Sequence, residues 1–217
     1  MTSIELTDNA SPAIHLVRHG QSTWNVERLV QGQTNHPELT ELGREQARQA
    51  AELLAGSAAV RLLTSDLVRA VQTAEIIGAV LAVVPIPTSL LREQSFGRVE
   101  GLGTDRAVQE WERVATEAVD EYGDPLPIVD VRPAGGESMR DVLARVTALL
   151  ASPWVAESTG DVVIVTHGDT IRILLAHLLG DDFEDPPWRE IANGDVHSVY
   201  RNSGGKVVHA AAGVRPN

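Results

Sequence analysis

Apolar positions along this chain follow two rhythms. Continuous or β-branched runs over 13–18, 60–64 and 161–166 (DVVIVT) predict short buried strands. Between them, spacings of three and four predict helices. Thr40 is a good N-cap for the first, with Leu42, Ala47, Ala50, Leu53 and Leu54 on its apolar face up to Gly56. Ser65 or Asp66 suits the start of the second, with Leu67, Ala70, Val71, Ala74, Ile76 and Ile77 as its stripe. Ser138 opens a third, through Met139, Val142, Leu143, Val146 and Leu149 to Leu150. A fourth runs over about 169–179 and stops at Gly180, a plausible C-terminal glycine. A further strand is expected over 85–91, with Pro85 and Pro87 marking an edge. Two more, over 196–200 and 206–210, flank the turn Asn202-Ser203-Gly204-Gly205. Alternating strands and helices imply an α/β fold with a largely parallel sheet and an antiparallel edge.

Three stretches lack either rhythm. Residues 1–12 suggest a loose N-terminal arm. Residues 20–37 suggest a polar loop over a site. Residues 94–136 suggest a small inserted cap, with a helical patch near 107–121 and a Pro/Gly-rich run over 123–136. The expectation is a single domain spanning 1–217, because 217 residues suffice for one sizeable core.

Composition narrows the function classes. The formal net charge of −12 argues against nucleic-acid binding and a polybasic membrane surface, which both need broad positive fields. No cysteine is present, so disulfides, thiolate catalysis and zinc-thiolate sites are excluded. No signal peptide and no apolar run of membrane-spanning length is visible, so a cytoplasmic setting is expected.

The candidate chemistry gathers at strand ends. Two strands end in histidine then glycine, His19-Gly20 and His167-Gly168, and Arg18 precedes the first. Parallel strands end on one side of a sheet, where ligands of open α/β folds bind. Arg69 falls in the first turn of a helix, where a cation is misplaced unless it helps hold an anion. Glu93 follows the third strand and is a candidate general acid/base. Two guanidiniums can fork onto a phosphate dianion, a neutral imidazole can attack phosphorus, and a carboxyl can protonate a leaving alkoxide.

The stretch LVRHGQSTWN (16–25) resembles the signature of the histidine phosphatase superfamily, also called the phosphoglycerate mutase-like family. The resemblance continues in order through ELTELGREQA (38–47), TSDLVRAVQTAE (64–75), LLREQSFGRVEG (90–101), PAGGES (133–138) and VVIVTHGDTIR (162–172). It implies a three-layer α/β sandwich and a phosphohistidine mechanism with neither metal nor other cofactor. His19 would be the nucleophile, Arg18, Arg69 and His167 would hold phosphoryl oxygens, and Glu93 would donate the proton. Asn25 matches a phosphate-pocket position, and Ser22, Gln31 and Gly32 match positions that contact substrate in relatives.

Family mutases carry extra basic residues in the inserted segment. Here that segment holds Arg98, Arg106, Arg113 and Arg132 among a larger number of carboxylates, without an arginine pair or a lysine. Asp169 also stands where mutases tend to have asparagine. Both differences favour a phosphatase acting on a small phosphorylated metabolite. A mutase and a non-catalytic phosphate-binding protein are the alternatives, and a homodimer is a possible assembly. His19 is expected to be neutral beside its arginines, and His167 protonated so as to balance phosphate charge. Trp111, on the proposed cap, could line the pocket.

Overall fold

The computed structural model describes residues 11–133, 135–202 and 204–213. The run DVVIVT forms β4 (Asp161–Thr166), buried along its whole length. Having no polar face, it requires cover on both sides. Its edges pair in parallel with β1 (Ile14–Arg18) and β2 (Ala59–Ser65). β3 (Pro85–Thr88) adds in parallel to β2. β5 (Val196–Arg201) lies antiparallel between β1 and β6 (Val207–Ala212), giving the order β3-β2-β4-β1-β5-β6.

Strand alternation then sorts the core into two halves. Leu16, Leu63 and Ile164 pack with Val142 and Val146 of α5 (Met139–Leu150) and with Ile171 and Leu174 of α7 (Gly168–Leu179). Val17, Leu62, Val163 and Val165 pack with Ala50 and Leu54 of α2 (Glu41–Leu54) and with Ala70, Ala74 and Ile77 of α3 (Val68–Leu81). The result is the three-layer α/β sandwich expected, with a mostly parallel sheet and an antiparallel edge. After β1 the chain turns into the α2/α3 layer, whereas after β4 it turns into the α5/α7 layer. A crevice opens where neighbouring strands send their connections to opposite faces, here between the ends of β1 and β4.

Local starts and stops differ from expectation in four places. The stretch 20–37 contains a short helix, α1 (Thr23–Glu27), closed by a Ser22/Asn25 capping box and ended at Arg28 with φ 57°. Five residues are too few to show a helical period. The strand expected over 85–91 ends at Thr88, and Ser89–Leu91 form a 3-10 turn whose Leu90 amide donates to the Thr88 hydroxyl. Neither Ser65 nor Asp66 caps α3. The Val68 amide instead donates to Asn35 Oδ1 at 2.8 Å, from a loop 33 residues away, and Asp66 is held by a two-pronged Arg92 contact at 2.7 Å. The cap helix, α4 (Thr104–Glu117), begins earlier and ends earlier than its expected patch. Residues 1–10 of the arm expected over 1–12, and Ser203 of the expected hairpin turn, lie outside the described residues. No helix among the described residues is long and apolar enough to cross a membrane.

Candidate active site

The register of β1 on β4 sets Arg18 opposite Thr166, so the next residues, His19 and His167, leave the sheet side by side. The His19 amide extends the ladder to Thr166 O at 2.9 Å. The two imidazole centroids stand 5.1 Å apart, edge to face, and both rings are buried. His19 Nδ1 lies 2.7 Å from the Gly20 carbonyl. A carbonyl only accepts, so Nδ1 carries the proton and Nε2 keeps its lone pair. Burial holds His19 well below the ordinary imidazole range, and the charges of Arg69 and Arg18 add to the effect. The neutral state expected of His19 is thus favoured, with burial outweighing the arginines as its cause. Gly20 matters for close approach: a Cβ there would lie 2.1 Å from the Gly43 carbonyl of α2.

His167 departs from expectation. Burial, then the positive charge of Arg69, pushes it well below the usual range too, which disfavours the protonated form expected of it until a phosphate charge is present. Neither of its ring nitrogens has a hydrogen-bond partner among the described residues. Unsatisfied buried polar atoms are rare and costly. Here they occur together: Arg18 Nε and Arg69 Nε are also buried and unpartnered. Backbone carbonyls hold both terminal nitrogens of Arg69 and one of Arg18. Arg69 donates to Gly32 O at 2.8 Å and Thr34 O at 2.9 Å, and Arg18 donates to Ile191 O at 2.5 Å. Arg69 therefore reaches back from the first turn of α3 to clamp the loop before α2. Burial draws it down to about 10, which leaves it charged at neutral pH. Three N–H donors thus remain around the His19 ring: Arg18 Nε, Arg69 Nε and one ring nitrogen of His167, since an uncharged imidazole carries a single ring proton.

Glu93 sits at the amino end of α7. Its carboxyl accepts from the backbone amides of Gln94 (3.0 Å), Asp169 (3.2 Å) and Thr170 (3.1 Å). Such donors favour the charged form, but burial and the neighbouring Asp169 charge outweigh them and push Glu93 upward. That is the direction needed by a proton donor. The Glu93 backbone is pinned from α5: Arg145 donates to the Glu93 carbonyl (3.1 Å), the Leu90 carbonyl (2.8 Å) and the Glu137 carboxylate.

Arg18, His19, Asn25, Arg69, Glu93 and Asp169 form the floor of a cavity of about 310 Å³, whose lining does not include the fully buried His167. Gln31 and Gly32 line it as well. Its roof is apolar, with Val30, Phe96, Val99, Ala107, Val108 and Trp111. Ser22 and Gly168 are not in the lining. Ser22 is buried as the N-cap of α1, its hydroxyl 3.0 Å from Asn25 Oδ1 and 2.8 Å from Gln31 Oε1. Gly168 opens α7 beside Arg18.

Several positioning residues gave no sign in the sequence. Glu100 accepts from the Gln33 amide, the Thr34 hydroxyl and the Phe96 amide, tying the loop that Arg69 clamps to the start of the cap. Asn193 donates to the His19 carbonyl at 3.1 Å, and Thr73 accepts from the Gly20 amide at 3.1 Å. These contacts join residues 53 to 174 positions apart, beyond the reach of local pattern.

Comparison with known proteins agrees with this geometry. The sequence model of the Histidine phosphatase superfamily (branch 1) matches residues 14–212, from the first strand of the sheet to the last. The chain is 36% identical over 163 residues to phosphoglycerate mutase-like protein 4 of Arabidopsis thaliana, covering 74% of this chain and 68% of that one. It is 32% identical over 205 residues to the probable phosphoglycerate mutase GpmB of Proteus mirabilis, covering 84% and 89%. Among solved structures, a mycobacterial glucosyl-3-phosphoglycerate phosphatase complexed with VO3 superposes with a TM-score of 0.73 at 30% identity, over 93% of this chain and 98% of that one. A protein described as mycobacterial hydrolase 1 gives 0.76 at 29%, over 92% and 96%. Paired strand-end histidines, buried arginines and a match along the whole sheet have one common explanation: this chain belongs to the histidine phosphatase superfamily.

Proposed function

We propose that the protein is a phosphomonoesterase that hydrolyses a small phosphorylated metabolite through a phosphohistidine. His19 Nε2 attacks phosphorus in line with the ester oxygen, and the P–O bond to the alcohol breaks as the N–P bond forms. Glu93, held protonated, gives its proton to the departing alkoxide. Water then attacks the phosphohistidine, Glu93 as carboxylate takes the water's proton, and the N–P bond breaks to release inorganic phosphate. Arg18 and Arg69 counter the charge on the equatorial oxygens in a site whose low dielectric strengthens them. Two guanidiniums already supply that compensation, so the proposed steps require no metal. His167, neutral beforehand, donates one N–H to the phosphoryl group and gains a proton more readily once the dianion is seated.

The choice of hydrolysis over phosphoryl return to a second acceptor rests on the charge inventory of the cavity. Arg18 and Arg69 are the only arginine or lysine side chains in its described lining, and both belong to the phosphoryl group. The cap arginines Arg98, Arg106, Arg113 and Arg132 are exposed and outside it. Arg113 is paired with Glu110 and Glu117, and Arg132 with Asp141. Asp169 stands in the wall with its carboxylate paired to Arg172, which is outside the described lining. A substrate carrying a carboxylate as well as a phosphate, as a phosphoglycerate does, would find no cation for its second charge.

The deciding measurement supplies 3-phosphoglycerate and a panel of phosphomonoesters, and follows inorganic phosphate and isomer formation together. Phosphate release should dominate for every ester turned over. Isomer formation from phosphoglycerate outpacing phosphate release would establish the mutase instead.

A further inference from the structure

The roof of the cavity is built for something the phosphate floor does not need. Thr104, Ala107, Val108 and Trp111 fall at i, i+3, i+4 and i+7 of α4, one continuous stripe, and all four line the cavity. An amphipathic helix ordinarily lays such a stripe on the protein core. Here only Ala107 is buried among the residues of α4, and Val108 keeps 49% of its surface exposed. The opposite face is polar and self-contained, with Arg113 bonded to Glu110 and Glu117 within the helix. At its amino end α4 is fixed by polar contacts: Thr104 donates twice to the Arg28 carbonyl, through its amide at 3.0 Å and its hydroxyl at 2.8 Å, and Leu29 bridges Gly103. Its apolar stripe thus overlooks the cavity, continuous with Phe96 and Val99.

We propose that the alcohol half of the substrate is apolar, an alkyl or aryl group that lies beneath Val108 and Trp111 and completes the burial of the α4 stripe. This rests on the phosphatase reading and adds to it the class of leaving group. Two features of the wall point the same way: the roof is apolar, and the arginines of the described lining are confined to the floor. A phosphorylated sugar or glycerate would leave hydroxyls or its carboxylate against Val30, Phe96, Val99 and Val108, which cannot hydrogen-bond them, and that is costly.

Two series test this. The first is hydrolysis of n-alkyl phosphates from ethyl to hexyl, with phenyl phosphate and 3-phosphoglycerate alongside. The second is calorimetric binding of the matching n-alkylphosphonates, which carry the dianionic head and no scissile ester. Each methylene added under the roof should raise kcat/KM and phosphonate affinity about three- to fourfold until the cavity is filled. Trp111→Ala should flatten both slopes. Val108→Lys, at a half-exposed position that tolerates a charge, should reverse the preference toward 3-phosphoglycerate. Flat series, or 3-phosphoglycerate preferred by the unaltered protein, would overturn the apolar leaving group. Rising phosphonate affinity without release of phosphate from any ester would overturn the phosphatase reading while upholding the apolar subsite.

Discussion

His15 and His19 lie four residues apart, one inside β1 and one just past its end, and both are almost fully buried, at 1% and 2% exposure. Their surroundings have opposite consequences. His15 Nδ1 meets Ser198 Oγ at 2.7 Å and its Nε2 meets Asp161 Oδ2 at 3.3 Å, so both ring nitrogens are committed. Asp161 also accepts from the amides of Ala13 and Ala58, so this histidine belongs to a polar clasp that fastens β5, β1 and β4 at the end of the sheet remote from the cavity. His19 commits only Nδ1, to a backbone carbonyl, and no described residue bonds its Nε2. Burial is the same for both. What differs is whether a lone pair is left over, and that difference separates a histidine committed to structure from one able to serve as the proposed nucleophile.

Removing the nucleophile should produce the largest effect. His19→Ala should lower turnover of any phosphomonoester by about 10⁴-fold or more, as loss of a covalent nucleophile does elsewhere. Thermal stability should change little, because the side chain gives up only one hydrogen bond to a carbonyl. Acid quenching of the unaltered enzyme during turnover should trap an acid-labile, alkali-stable phosphoprotein, and the variant should trap none. Residual activity above about one per cent would erase the distinction drawn between the two histidines.

Next in size is Glu93→Gln, expected to cost about 10²- to 10⁴-fold, the range for general acid–base groups. The amide keeps an acceptor for the α7 amides but has no proton to give. The loss should therefore depend on the leaving group. With p-nitrophenyl phosphate, whose phenolate needs no acid, the first step should survive and a burst of nitrophenol should precede slow hydrolysis. With an alkyl phosphate no burst should appear. The pH profile sharpens the assignment. His19 must be neutral to attack, and because its folded-state affinity for protons is depressed, activity should fall only well below pH 6.5. Glu93 must be protonated in the first step, and its upward shift carries the alkaline limb above the ordinary glutamate range of about 4.5. Glu93→Gln should abolish the alkaline limb and leave the acid limb in place. An alkaline limb unchanged in the variant would assign proton donation to another group.

The contrast between the two histidines also marks what was legible in the sequence. DVVIVT could only be a strand covered on both faces, and the helical stripes of α2, α3, α5 and α7 point at a core that the structure contains. His19, His167, Arg18, Arg69 and Glu93 were visible because each stands just after a strand or at the start of a helix, and parallel strands deliver their ends to one side. Which nitrogen was free was not visible. It depends on Gly20, Ser198 and Asp161, and the latter two are 183 and 146 residues away from His15. The neutral state of His167 was missed for the same kind of reason: desolvation is a property of the packed surroundings, and the sequence suggested only the charge it would eventually face. The short helix α1 and the Asn35 cap on α3 escaped because one is shorter than two turns and the other arrives from a distant loop. The apolar roof was half legible, since Trp111 was a candidate for the pocket, but the stripe has meaning only once α4 is known to overlook the floor.

The remaining prediction concerns the other histidine and is the smallest. His15→Leu replaces a ring bonded at both nitrogens by an apolar side chain of comparable bulk, leaving Ser198 Oγ and one Asp161 oxygen without that partner. Asp161 keeps its contacts to the Ala13 and Ala58 amides, so the buried carboxylate is weakened rather than abandoned. A lost buried hydrogen bond with an unsatisfied partner costs about 1–3 kcal/mol, and the variant should be destabilised within that range in urea unfolding. Its kcat and KM, measured well below its unfolding midpoint, should match the parent within about twofold, since no contact of His15 reaches the cavity wall. If His15→Leu instead lowered kcat severely at unchanged stability, the polar clasp would have to communicate with the strand end four residues away. The separation between a histidine that fastens the sheet and one that attacks phosphorus would then fail.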